Sequence, residues 1–197
     1  MRLEWSGMSA VGEALREKAI INLTGAVTMV VDDSAFAADI TSSALLGFGI
    51  KTRYSMRSAA EAIEILRETE VDLLVIDCEM PGMDGFDLVH WLRRSGPPNA
   101  FVPVIMTAAH IRRSMVTKAR DCGANFVITK PFSAASLLER IVWVARDGRP
   151  FLEVGEYFGP DRRFRETPPP GTERRSEVIR RVAFEAEKAA AAAASAQ

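Results

Sequence analysis

Cysteine and histidine are nearly missing from this chain of 197 residues, with two of each. Cys78 and Cys122 stand far apart, without metal-ligand spacing, so they frame neither a disulfide scaffold nor a thiolate metal site and read as reduced thiols. His90 and His110 are too few and too scattered for a zinc site or an acid–base relay. No apolar run approaches the roughly 20 residues of a membrane span. The opening "MRLEWSGMSAVGEALREK" lacks the apolar core of a secretory signal. A dominant charge is lacking too: 25 basic residues face 26 acidic ones, net −1. That removes any global attraction to nucleic acid or to an anionic membrane. The chain is therefore read as soluble and cytoplasmic.

What remains is sufficient for a globular core. Hydrophobic residues make up 48% of the chain, an ordinary share for a folded domain, and the length suits one domain with appendages or two small ones. Three regions are expected: an N-terminal helical extension over 1–24, a compact domain over 25–147, and an arm over 148–197 that carries arginine and proline and ends in an alanine-rich helix or disordered tail.

Within the central region short apolar runs alternate with amphipathic segments. "AVTMVV", "IKTRY", "VDLLVI", "VPVIMT" and "FVIT" read as strands. "SAFAADITSSALLGFG", "SAAEAIEILRET", "FDLVHWLRR", "RRSMVTKARDCG" and "SAASLLERIVWVAR" read as helices, the second opened by a capping box of Ser58 and Glu61. Five strand–helix repeats indicate an α/β fold, a doubly wound parallel sheet with helices on both faces. Ligands of such sheets bind beyond the carboxyl ends of the strands.

That edge concentrates the chemistry. The apolar run Val71, Leu73, Leu74, Val75, Ile76 ends in Asp77, where an unpaired buried carboxylate would be costly. The first strand ends in Asp32 and Asp33, the fourth in Thr107, the fifth in Lys130-Pro131. Three clustered acids repel one another unless a cation joins them, and a hard divalent ion such as Mg²⁺ is the usual solution. A magnesium and a lysine beside an exposed carboxylate make a receptor for a phosphoryl group, with the carboxylate as nucleophile.

Four stretches in order, "VVDDS", "VIDCEMPGMDG", "VIMTAA" and "ITKPF", each at an expected strand end, resemble the receiver domain of bacterial two-component response regulators of the chemotaxis-regulator type. The resemblance covers residues 26–146. It implies a flavodoxin-like sheet of five strands in the order 2-1-3-4-5, with Asp77 as phosphoacceptor. It further implies Asp33 as a direct Mg²⁺ ligand, Asp32 acting mostly through water, and the backbone carbonyl of Glu79 as another ligand. Thr107 would bond the phosphoryl oxygens and Lys130 would pair with the phosphate, aimed by a cis bond to Pro131. Ala108 is small enough for phosphoryl access. One position departs from the family: the aromatic expected three residues before the lysine is Val127, with Phe126 one place earlier. A shift of one residue reverses the face of a strand, so no switch aromatic is assigned.

The implied partners are a sensor histidine kinase or phosphotransfer protein and a downstream protein. No helix-turn-helix or cyclase fits into residues 147–197, so no DNA-binding domain is expected. In the tail "GPDRR" (159–163) and "GTERR" (171–175) repeat a Gly-x-acid-Arg-Arg scheme across a triple proline. Three readings stay open there: a solvated arm, a docking arm anchored by Phe151, Tyr157, Phe158 and Phe164, or an anion site in which paired arginines hold a nucleotide such as cyclic-di-GMP. An aspartate-nucleophile phosphatase is the enzymatic alternative, but it wants Asp-x-Asp where this chain has Asp77-Cys78-Glu79. The chain is otherwise expected not to be an enzyme beyond its own phosphorylation and dephosphorylation.

Overall fold

A computed structural model of the protein describes residues 23–162 and 180–182. Strands and helices alternate as β1 (Val27–Val31), α1 (Ala35–Gly47), β2 (Thr52–Met56), α2 (Ala59–Glu68), β3 (Leu73–Asp77), α3 (Gly85–Arg94), β4 (Val104–Ala108), α4 (Arg113–Cys122), β5 (Phe126–Thr129) and α5 (Ala134–Ala145). The five strands form one parallel sheet in the order β2-β1-β3-β4-β5. The central strands β3 and β4 are buried along their whole length, which is why they read as unbroken apolar runs. Side chains of Ser34, Ser58, Asp84 and Ser133 cap four of the helices by accepting from backbone N–H groups three residues on. At α2 the box is displaced by one residue: Glu61 Oε2 accepts from the N–H of Arg57, not of Ser58 (2.8 Å).

Two apolar clusters fill the layers. α2, α3 and α4 pack on one face, against Met29, Leu74, Met106 and their neighbours. α1 and α5 pack on the other, against Val30, Val75, Ile105 and Ile128. Strand side chains alternate faces, so the residues two places beyond these four share the α1/α5 face. They are Asp32, Asp77, Thr107 and Lys130.

Two elements differ from expectation. β2 begins at Thr52 and ends at Met56, two residues beyond the expected "IKTRY". Ile50 is spent earlier, fully buried under α1 with its N–H on the Leu45 carbonyl (3.2 Å). The second difference lies in the tail. β6 (Phe151–Val154) and β7 (Tyr157–Pro160) form an antiparallel hairpin, and β8 (Arg180–Val182), in the stretch expected to be an arm ending in a helix or disordered tail, pairs with the other edge of β6. An open strand edge is a strong template for a further strand. Residues 1–22 of the helical extension expected over 1–24, Phe164, the triple proline, the second "GTERR" copy and the alanine-rich end lie outside the described residues.

The hairpin rests on the sheet's amino edge. Phe151 and Phe158 each place their ring centroids 5.2 Å from that of Phe101, in the short turn before β4. Arg93 of α3 lies beneath, 3% exposed, with its guanidinium 5.1 Å from the Phe151 ring centre. It has no carboxylate partner among the described residues. Instead Nη1 donates to the Ala100 and Val102 carbonyls (2.8 Å each), Nε to that of Gly123 (3.0 Å) and Nη2 to Asn125 Oδ1 (3.3 Å). Burial lowers its pKa to about 10. Gly123 ends α4 with φ +95°, and a Cβ there would meet the Phe158 carbonyl oxygen at 2.7 Å. Arg162 then reaches Asp121 at 3.3 Å and lies 3.8 Å over the Tyr157 ring.

Candidate functional site

Asp32, Asp33, Asp77, Thr107 and Lys130 converge at the carboxyl edge of the sheet, as the strand ends suggest. Asp77 closes β3 and pairs in register with Thr107 on β4. Its carboxylate Oδ1 meets Lys130 Nζ at 3.0 Å and accepts from Thr107 Oγ1 at 3.4 Å. Lys130 also meets Asp32 Oδ2 at 2.6 Å, bridging the first and third strands. The bond from Lys130 to Pro131 is cis. Asp32 is buried, and its Oδ1 accepts the Ser34 N–H at 3.0 Å. Asp33 is exposed, and among the described residues its carboxylate accepts no hydrogen bond. The β3–α3 turn needs Gly85: a Cβ there would fall 2.1 Å from the Asp77 carbonyl oxygen.

The electrostatics are unbalanced. Ligand oxygens of Asp32, Asp33 and Asp77 all lie within 4.8 Å of one another, and among the described residues one ammonium, that of Lys130, pairs with these three acids, through Asp32 and Asp77. Burial raises the Asp77 pKa, with the neighbouring acids adding to it, and Lys130 offsets only part. For Lys130 burial acts downward, but the hydrogen bonds and charges of Asp32 and Asp77 outweigh it and raise its pKa. An all-oxygen donor set with an uncompensated negative charge fits a hard divalent cation. Glu79 is exposed at the rim. It joins Asp33, Met80, Phe86, Arg112 and Met115 around an open cavity of about 630 Å³ next to the cluster.

Other residues take structural positions. Cys78 is 1% exposed, and burial pushes its thiol up to about 12, which leaves no thiolate beside the cluster. Phe126 packs edge-on against Trp143 of α5 at 5.5 Å, while Val127 faces the other cluster. His90 is exposed on α3. One neighbour was missed by the sequence reading. Arg57 donates through Nε to the Asp32 carbonyl (3.1 Å) and through Nη2 to the Asp33 carbonyl. Only the true end of β2 at Met56 brings it to this edge.

Residues 28–142 match the response regulator receiver domain family. Chemotaxis protein CheY-3 of Vibrio cholerae is 31% identical over 113 residues, which is 57% of this chain and 86% of that protein. Chemotaxis protein CheY of Bacillus subtilis is 33% identical over 113 residues, 57% of this chain and 92% of its own. The solved structure of Vibrio cholerae chemotaxis protein CheY4 superposes with a TM-score of 0.58 at 25% identity, covering 60% of this chain and 98% of that one.

Proposed function

From the premise that the chain belongs to the response regulator receiver domain family, we propose that it is a phosphoacceptor response regulator, phosphorylated on Asp77 by a histidine kinase or phosphotransfer protein. The observation that carries this is the grip on one oxygen of Asp77. Lys130 and Thr107 both hold Oδ1, whereas Oδ2 has no partner among the described residues and is left to attack.

In the transfer, a lone pair of Asp77 Oδ2 forms the bond to phosphorus. The phosphorus–nitrogen bond to the donor imidazole breaks, and its electrons stay on the ring, which binds a proton. The phosphoryl group arrives with its charge, so Lys130 exchanges a carboxylate for a phosphoryl oxygen, and the Thr107 hydroxyl donates to another. Asp33, Asp77 and the Glu79 carbonyl would hold Mg²⁺, with Asp32 acting mostly through water. That ion supplies charge neutralisation for an anionic donor approaching an anionic site. On α1, Phe36 is 75% exposed and Ile40, one turn on, 48%. They present an apolar stripe beside the acid pair that suits a docking donor protein.

The signal leaves through contacts with a downstream protein. A nucleotide role for the arm would require Arg162 to give up Asp121 and the Tyr157 ring, and Arg174 lies outside the described residues. The assignment is tested by incubating the protein with acetyl phosphate and Mg²⁺ and reading the mass of the intact chain. Wild type should gain one phosphoryl group and Asp77→Asn none. Labelling of the variant at the wild-type level would move the nucleophile elsewhere.

A further inference from the structure

Resting on that reading of the site, we propose that Arg57 is a positioning residue that sets the affinity of the acidic cluster for its divalent cation, by fixing the main chain of Asp33. Asp32 needs no such help, since its carboxylate is held on one oxygen by the Ser34 N–H and on the other by Lys130. Asp33 is different. Its exposed carboxylate has no hydrogen-bond partner among the described residues, so its direction is inherited from its backbone alone. That backbone leaves the sheet after β1, beyond the last ladder bond, in which the Asp32 N–H donates to the Met56 carbonyl at 3.1 Å. From there Arg57 takes over, and its one planar guanidinium donates to the carbonyls of both Asp32 and Asp33. Two donors in a fixed fork suit that task, and a lysine ammonium offers only a point charge. Arg57 is itself anchored, because its N–H donates to Glu61 Oε2 at 2.8 Å and Ser58 beside it caps α2.

Two effects of the guanidinium oppose each other. Its positive charge disfavours a nearby cation, but it is exposed and its field is screened by water. Its orientation of a ligand acts at contact distance and is not screened. Orientation therefore prevails. Groups that hold ligands in place typically change metal affinity by on the order of tenfold or more when removed.

The two effects separate in two substitutions measured on the full chain by titration calorimetry with Mg²⁺. Arg57→Lys keeps the charge and loses the fork, and is expected to weaken Mg²⁺ binding about tenfold. Arg57→Met loses both and is expected to weaken it as well. Phosphorylation by acetyl phosphate should then need more Mg²⁺ for half-saturation and reach a wild-type rate at saturation, a split that general loosening of the fold would not give. Melting in chelator checks that both variants remain folded. Unchanged affinity in Arg57→Lys, or tighter binding by Arg57→Met, overturns the proposal. Asp33→Asn serves as control. If it too binds Mg²⁺ like wild type, the site reading has failed, whereas a loss there beside an unaltered Arg57→Lys faults the role of Arg57 alone.

Discussion

Replacing Phe151 by alanine should destabilise the whole receiver, although the residue lies beyond its last helix. Phe→Ala at a fully buried position costs about 3–5 kcal/mol. Phe151 is half-buried, so roughly half of that applies, about 2 kcal/mol. The ring also meets Phe101 at 5.2 Å and Phe158 at 5.7 Å, contacts worth about 0.5 kcal/mol or more each. It further covers the Arg93 guanidinium, a stacking of similar size when partly desolvated. The expected loss is about 3.5 kcal/mol. For a folded unit of this size that lowers Tm by about 7–14 °C. Urea unfolding followed by circular dichroism measures it, with an unchanged slope if the denatured state is unaltered. Phe36→Ala is the control, because that ring is 75% exposed and its removal should stay within about 0.5 kcal/mol. A loss below about 1 kcal/mol in Phe151→Ala, or one equal to the control, would refute the reasoning. The hairpin would then be an appendage, and cutting the chain after Gly148 would be harmless.

Two further outcomes follow from groups whose surroundings are unfavourable. With Mg²⁺ chelated, Asp77→Asn should raise Tm at pH 7 by a few degrees. The native Asp77 pKa is raised by burial, so the native state keeps its proton where the unfolded chain has released it, and stability falls as pH climbs from 3.8 to the native value. The variant should lack that slope in acid-range melts, and a slope equal to wild type would contradict it. Lys130, with its pKa raised, contributes stability that is lost only at alkaline pH, above this window. Thr28→Val should stabilise by about 1 kcal/mol, because Thr28 is fully buried and its Oγ1 has no hydrogen-bond partner among the described residues. Equal or lower stability in urea would mean that the hydroxyl is satisfied.

The parallel sheet was legible because its signals are local and repeated. Fully buried strands read as apolar runs, and serine or aspartate caps mark four helix starts. β2 was placed two residues early because Ile50 resembles a strand residue. What it does is end α1, and that depends on the space under Leu45, which no window of sequence contains. The hairpin was missed for a related reason. "RPFLEVGEYFGPDRR" carries a turn and alternating apolar residues, yet its docking depends on Phe101, Arg93 and Gly123, all of them distant in sequence.

The candidate site divides along the same line. Residues at strand ends could be collected at one edge from order alone, and alternation supplies the rest. Val30 to Asp32, Val75 to Asp77, Ile105 to Thr107 and Ile128 to Lys130 are four steps of two, each from a residue of the α1/α5 cluster to a group of the site. Side chains an even number of places apart share a face, so burial of the first member fixes where the second emerges. Asp33 breaks this parity, and the exception is informative. Standing one place off, it leaves the shared face and loses the hydrogen bonds that hold Asp32 and Asp77. Its placement passes to a main chain gripped by Arg57, the residue just after β2. A residue that acts through carbonyls leaves no mark in a motif, because any amino acid presents the same carbonyl. Arg57 therefore becomes visible only once β2 is seen to end at Met56.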